Sequence, residues 1–111
     1  MVDFCVYPNH LVTLMPDYLW WVSVMPYGVG QFQATWGVAV PPEILDEVPK
    51  EDYDDWLREK IVYMDTANEE DRGLVEGLHL GSQSLRLPQG ALHPIERNLW
   101  QFMKYLSKIT A

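Results

Sequence analysis

Alternating apolar and polar positions predict that the first forty residues form β-structure. Between Gln31 and Val40, every second residue is apolar: Phe32, Ala34, Trp36, Val38 and Val40. An alternation with a period of two is typical of a strand that has one buried face. Shorter runs at Phe4–Tyr7, Leu11–Met15 and Tyr18–Met25 end at turn sequences that contain proline. The segment Pro-Tyr-Gly-Val-Gly has hairpin chemistry, so we expect three or four antiparallel strands within residues 1–40.

Helical spacing replaces this alternation after the Pro-Pro pair at positions 41 and 42. Residues 43–48 predict a short helix, and the apolar positions within Glu51–Met64 recur at the spacing of a longer one. Thr66 and Glu69 fit a capping box, which predicts that a separate helix begins there and runs to about Leu80.

The last helix is predicted to begin at Pro94, a residue that suits the first helical position, with His93 as its N-cap. Its apolar stripe consists of Ile95, Leu99, Phe102, Met103 and Leu106. The sequence therefore predicts one α+β domain of residues 1–111. An antiparallel sheet in residues 1–40 is followed by helices in residues 43–109.

One carboxylate lies on an apolar helical face. Asp71 shares the spacing i, i+3, i+4, i+7 with Leu74, Val75 and Leu78. A carboxylate that faces a core is destabilising unless it is paired, hydrogen-bonded or bound to a metal. The structural alternatives are an aspartate in the first turn of the helix, or an ion pair with an arginine: Arg72, Arg86 or Arg97.

Charge and cysteine content exclude some classes of partner. The net charge is −8, and most of the acidic residues lie between Glu43 and Glu76, which argues against a nucleic-acid partner. The single cysteine, Cys5, excludes an intramolecular disulfide, suits a cytoplasmic protein and is expected to be a packed thiol. No apolar run approaches the length of a membrane span, so no membrane partner is expected.

The motif EEDRGLVEGLHLGSQSLRLPQGALHPIE, followed by NLWQF, resembles the C-terminal part of the catalytic domain of Rieske non-haem iron oxygenases. These are the α subunits of ring-hydroxylating dioxygenases and their monooxygenase relatives. The resemblance implies a helix-grip (START/Bet v1-like) fold, of which this chain would be a part. Because strand-like sequence begins almost at residue 1, we expect a fragment of a longer protein.

The resemblance also implies roles for individual residues. Asp71 matches the carboxylate that, with two imidazoles, holds mononuclear Fe(II) and leaves positions open for dioxygen. His79 stands where the family commonly has glutamine, behind the iron ligands. Candidate walls of the substrate pocket are Trp20, Trp36, Leu74 and Leu78.

The remaining parts of an oxygenase are expected outside this sequence. It has neither the family's His-x4-His-type motif nor the two Cys and two His that hold the [2Fe–2S] cluster. The parent protein is expected to be an oxidoreductase, and this chain alone is expected to be incomplete and inactive. Implied partners are a small aromatic or other small organic substrate, a reductase/ferredoxin system and further copies in a homo-oligomer.

Two other functions fit the same sequence. A helix-grip module can bind a small hydrophobic ligand without performing chemistry. Alternatively, the chain could be a structural domain that associates through an exposed sheet edge.

Overall fold

The computed structural model describes residues 1–88 and 90–111, which form two compact units. The first unit consists of Met1–Val48 and Leu92–Ala111, and the second consists of Pro49–Ala91. The first unit contains a sheet and the C-terminal helix, and the second contains one long helix. This antiparallel sheet followed by helices confirms the predicted α+β class. The single-domain organisation and the helix-grip closure stay predictions.

Four antiparallel strands form a meander in the order in which they occur along the chain. They are β1 (Val2–Val6), β2 (His10–Leu14), β3 (Leu19–Pro26) and β4 (Phe32–Ala39). The apolar runs, the turn residues and the alternation in the last strand predicted these strands, with ends that differ by at most a few residues. The strands β1 and β4 are the edges of the sheet within the described part of the chain.

The hairpin between β3 and β4 depends on glycine. Gly28 and Gly30 have φ angles of 86° and 73°, in the left-handed region that residues with a Cβ atom rarely adopt. The Tyr27 amide donates a hydrogen bond of 2.9 Å to the Gln31 carbonyl and closes the loop. The hairpin predicted from Pro-Tyr-Gly-Val-Gly is therefore confirmed.

One face of the sheet has an aromatic ring lying over a glycine. Trp21 on β3 is paired with Gly37 on β4. A Cβ atom at Gly37 would lie 2.9 Å from three atoms of the Trp21 indole. The same indole stacks on the His10 ring, with centroids 5.7 Å apart. Gly37 therefore provides the space that the Trp21 ring occupies.

Cys5 is exposed, so the prediction of a packed thiol is wrong. It lies on β1, a strand with one neighbour, and all five residues of β1 are exposed. An edge strand receives cover from one side only, and the apolar run that contains Cys5 did not indicate which strand would be at the edge.

The helix α1 (Pro42–Glu47) follows β4 and is short, as predicted. The next helix, α2 (Tyr53–Ser82), contains thirty residues without interruption, so the capping box predicted at Thr66 is wrong. The Thr66 hydroxyl instead donates a 2.8 Å hydrogen bond to the Val62 carbonyl one turn earlier. A threonine inside a helix can satisfy its hydroxyl in this way.

Among the described residues, no helix combines the length and apolar character that a membrane span requires.

A turn of 3-10 helix (Pro94–Glu96) leads into α3 (Arg97–Ile109). The His93 side chain accepts a hydrogen bond from the Ile95 amide at 3.3 Å, and Glu96 accepts one from the His93 amide at 2.6 Å. This reciprocal pair is a capping box, which confirms His93 as an N-cap and Pro94 as the first helical residue.

The helix α3 packs on the turn between β1 and β2. The Tyr7 ring lies 5.6 Å from the Phe102 ring and 5.0 Å from the Tyr105 ring, centroid to centroid. Phe102, Tyr105 and Leu106 are half-buried. The other residues of the predicted stripe are exposed: Ile95, Leu99 and Met103. The stripe is therefore covered over part of its width.

Candidate functional site

One helical face of α2 is mostly covered along its first part, where Ile61 is 41% exposed, and is exposed along its second part. Trp56 and Leu57 are half-buried, Met64 is buried with 7% of its surface exposed, and Asn68 is half-buried. Asp71 is the next residue on this face, and it is exposed. The apolar residues beyond it are exposed by 65%, 43% and 73%: Leu74, Val75 and Leu78. Asp71 therefore stands at the boundary between the two parts of the face.

The Asp71 carboxylate makes no hydrogen bond or ion pair within residues 1–88 and 90–111. The neighbouring cation, Arg72, is engaged elsewhere: its Nε donates to Glu69 at 2.9 Å and its Nη1 donates to Glu76 at 3.3 Å. Its Nη2 makes a second hydrogen bond to Glu69. The arginine ion pair that was one structural alternative for Asp71 is therefore not formed in the described part of the chain.

The hydrogen bonds from Arg72 hold the pKa of the Glu69 carboxyl below its usual value, and the positive charge of Arg72 adds to this effect. The same contacts raise the pKa of the Arg72 guanidinium. Both side chains are more than half exposed, so solvent screens the pair and its contribution to stability is small. These ion pairs keep the guanidinium group of Arg72 in contact with Glu69 and Glu76.

We expect a carboxyl-carbon NMR titration at low salt to give Glu69 a pKa below its usual value, because protonation would break its hydrogen bonds to Arg72. Arg72→Gln should raise this pKa towards that value, while Arg58→Gln should leave it unchanged. Because the folded-state pKa is lowered, the stabilisation is complete above the unfolded-state pKa and is lost as the pH falls through the folded-state pKa. An unchanged Glu69 titration in Arg72→Gln would contradict the pairing.

The two tryptophans predicted for the pocket wall lie on one face of the sheet. Trp20 is opposite Thr13 on β2 and Val38 on β4, and Trp36 is opposite Val22 on β3. Residues two apart on a strand point to the same side, so Trp20 and Trp36 share a face. The Trp20 Nε1 atom is buried and has no hydrogen-bond partner among the described residues.

His79 lies near the C-terminal end of α2. Its Nε2 atom is 3.1 Å from Nε2 of Gln83, and its backbone carbonyl accepts a hydrogen bond of 2.8 Å from Ser82. Asp71 and His79 are about 12 Å apart along the axis of a continuous helix. They cannot bind one ion directly through their side chains while α2 keeps this conformation.

Asn68 was not singled out by the sequence, although it precedes Asp71 by three residues on the same face. Its Nδ2 atom is buried and has no partner among the described residues. A buried amide normally forms a hydrogen bond. The covered end of the face therefore includes a polar atom that lacks a partner among the described residues. The signal in the sequence was the i, i+3 spacing of a polar residue from Asp71.

The candidate residues are divided between the two units. Trp20 and Trp36 belong to the first unit. The second unit contains the other four: Asp71, Leu74, Leu78 and His79. Within the second unit, Asp71, Leu74 and Leu78 lie on one face of α2.

A comparison with protein families decides the class of the chain. The family model for the ring hydroxylating alpha subunit (catalytic domain) matches residues 1–111. The chain belongs to this family. No curated protein and no solved structure matches the chain significantly.

Ring-hydroxylating α subunits use mononuclear non-haem iron and a Rieske cluster, and the described residues do not provide either site alone. A two-histidine, one-carboxylate iron site needs three side chains close together. Residues 1–88 and 90–111 contain no group of three histidine, cysteine, aspartate or glutamate residues that could hold a metal ion. The histidines have other contacts: His10 stacks on Trp21, His93 caps a helical turn and His79 lies beside Gln83.

Proposed function

We propose that this chain is the C-terminal portion of the catalytic domain of a Rieske-type ring-hydroxylating oxygenase. In this proposal it contributes Asp71 as the carboxylate ligand of the mononuclear iron and part of the substrate pocket. The observation that carries the proposal is the family match over the whole chain. The two imidazole ligands and the Rieske cluster would come from residues outside 1–111.

The surroundings of Asp71 support this role. An aspartate that was already bound to an arginine would have to break that pair before it could bind a cation. Arg72 is instead held by Glu69 and Glu76. The oxygens of the Asp71 carboxylate are therefore available to a cation.

The apolar residues beside Asp71 fit a small organic substrate. Leu74 and Leu78 follow Asp71 by about one and two helical turns on the same face. Side chains of this type keep water away from the reacting part of an apolar substrate. Trp20 and Trp36 share one face of the sheet, and each is a candidate for the wall of a substrate pocket. A small aromatic ring or another small organic molecule is the proposed substrate class.

The electrons for oxygenation would reach the parent protein from a reductase/ferredoxin system through the Rieske cluster. This chain would provide neither electron transfer nor the complete iron site. The part assigned to it is to hold one iron ligand and to shape the pocket. His79 is assigned a position behind the ligand, where its contact with Gln83 would fix the last turns of α2.

The proposal can be tested by grafting residues 1–111 in place of the matching segment of an active ring-hydroxylating α subunit. We expect the graft to retain mononuclear iron and measurable hydroxylation, because the chain would restore the missing carboxylate and pocket wall. Iron analysis, the absorption of the Rieske cluster and product formation are the measurements.

The control for this experiment is the same α subunit with the segment deleted, which should keep its Rieske cluster and lose the mononuclear iron. A graft that is soluble and contains a complete cluster, yet binds no mononuclear iron, would contradict the proposed function.

A further inference from the structure

The exposed side of α3 is cationic in a chain whose net charge is −8. Arg97, Lys104 and Lys108 lie within about 40° of one another around a regular helix. All three are exposed, and α3 contains no aspartate or glutamate. None of the three forms an ion pair within residues 1–88 and 90–111. We refer to Arg97, Lys104 and Lys108, with the adjacent Trp100, as the cationic stripe.

The packing of α3 fixes the direction of the cationic stripe. Phe102 lies about 140° around the helix from Arg97 and contacts Tyr7 through its ring. The stripe is therefore turned away from that contact. Trp100 is 49% exposed, and the Lys104 Nζ atom lies 4.3 Å from the centre of its ring. A half-exposed tryptophan beside cations is a common centre of a protein–protein interface.

A complementary surface is present on α2. Glu59, Tyr63 and Glu70 lie within about 40° of one another around the helix, and we refer to them as the acidic stripe. All three are exposed, Tyr63 by 64%. Neither glutamate forms an ion pair within residues 1–88 and 90–111. The acidic stripe is about 80–120° around the helix from Asp71, so it is separate from the proposed iron ligand.

The two stripes have the same spacing. Positions 97 and 108 are as far apart in the sequence as positions 59 and 70, which is about 16.5 Å along each helix. In an antiparallel arrangement, Glu59 would face Lys108 and Glu70 would face Arg97. Tyr63 and Lys104 would then face each other, since each lies four residues from the same end of its stripe. A lysine over a tyrosine ring is a favourable contact.

We propose that the cationic stripe of one copy docks antiparallel on the acidic stripe of a second copy of this chain. The second copy is the occupant that the structure favours, because it presents carboxylates and an aromatic ring at the matching positions. The contact joins two different surfaces, so each copy has both a cationic stripe to donate and an acidic stripe to receive. The contact leaves Asp71 uncovered and does not depend on the proposed oxygenase function.

Sedimentation velocity of the chain over a range of concentrations and salt tests the proposal. We expect the average mass to rise with concentration at low salt and to fall towards that of a monomer at high salt, because ions screen the charge pairs. Arg97→Glu with Lys108→Glu should weaken association at least about tenfold through like-charge repulsion. Glu59→Lys with Glu70→Lys should weaken it by a similar factor, although this change makes the chain less acidic.

An equimolar mixture of the two charge-reversed variants is the decisive measurement. In the mixture, the unmodified acidic stripe of one variant can pair with the unmodified cationic stripe of the other, and the two reversed stripes can also pair. Association should therefore return to about the extent of the unmodified chain, although each variant alone associates weakly. Glu43→Lys with Glu47→Lys, which changes the net charge equally on α1, should associate at least as strongly as the unmodified chain. Far-UV circular dichroism checks that every variant is folded.

Two outcomes would overturn the proposal. One is association that is unchanged by both pairs of substitutions or is not restored in the mixture. The other is absence of concentration-dependent association at low salt. If the chain then binds phosphatidylserine vesicles or a DNA duplex, and Arg97→Glu with Lys108→Glu abolishes this binding, the cationic stripe is assigned to a lipid surface or a nucleic acid instead.

Discussion

Asp71→Asn in the α-subunit graft is expected to remove the mononuclear iron and to lower hydroxylation by more than about 100-fold. Asparagine keeps the size of aspartate but offers a neutral oxygen in place of the carboxylate that completes a two-histidine, one-carboxylate site. Even the loss of a residue that only supports a metal ligand commonly lowers metal affinity about 10–100-fold, so the loss of a ligand should exceed this range. Iron content, measured beside the absorption of the Rieske cluster, separates the two kinds of iron.

Glu70→Gln is the matched control for this substitution. Glu70 is the preceding residue, is exposed and lies about 100° around α2 from Asp71. The control should keep both the iron and the activity of the unmodified graft. Equal iron content in Asp71→Asn and the unmodified graft would remove Asp71 from the proposed site, while the family membership of the chain would stand.

Gly37→Ala is expected to lower the free energy of unfolding by about 1–2 kcal/mol. The new Cβ atom would meet the Trp21 indole at 2.9 Å, and an overpacked contact of this kind usually destabilises by about 1–3 kcal/mol. Replacing a glycine within a strand regains about 0.5–1 kcal/mol of backbone entropy, which offsets part of the loss. The clash dominates because stacking on His10 restricts the movement of the indole. Urea denaturation followed by circular dichroism measures the difference.

A double-mutant cycle distinguishes the clash from a general effect on β4. In a Trp21→Ala background the indole is absent, so Gly37→Ala should become neutral or stabilising by up to about 1 kcal/mol. The same loss of stability with and without Trp21 would show that contact with the ring is not the cause.

The strands could be predicted from the sequence because each one depends on local pattern. The alternation along β4 and the turn residues at Gly28 and Gly30 act over a few positions, and the backbone has few other ways to satisfy them. The cap at His93 is local in the same sense, since Glu96 returns to it within one turn. These elements are present in the structure as predicted.

The residues that share a face of the sheet could be identified only from the pairing register of the strands. The continuous apolar run of β3 could not indicate whether Trp20 or Trp21 shares a face with Trp36, because a shift of one residue in pairing exchanges the faces. The observed pairing of Val22 with Trp36 places Trp20 on that face and Trp21 on the other. Trp21 then lies over Gly37, a contact that no sequence pattern had indicated.

The candidate site, too, could be predicted only in part from the sequence. Helical spacing placed Asp71 on a face with Leu74 and Leu78, and the resemblance of the motif assigned it to iron. Spacing cannot show whether such a face is covered, because burial depends on residues distant in the sequence. In the structure most of the face is covered as far as Asn68, and the face is exposed from Asp71 onwards.

Local periodicity and turn chemistry were sufficient for the α+β class, the strands and the cap at His93, while the resemblance of a motif indicated the family to which the chain belongs. The unbroken α2 through Thr66, the exposed edge position of Cys5 and the free carboxylate of Asp71 were not accessible in this way. Each of these depends on which groups meet in space: Val62 accepts from Thr66, β1 has a single neighbouring strand, and Glu69 and Glu76 hold Arg72. Packing and strand register decide which partner each of these groups contacts. A pattern along the chain does not contain that information.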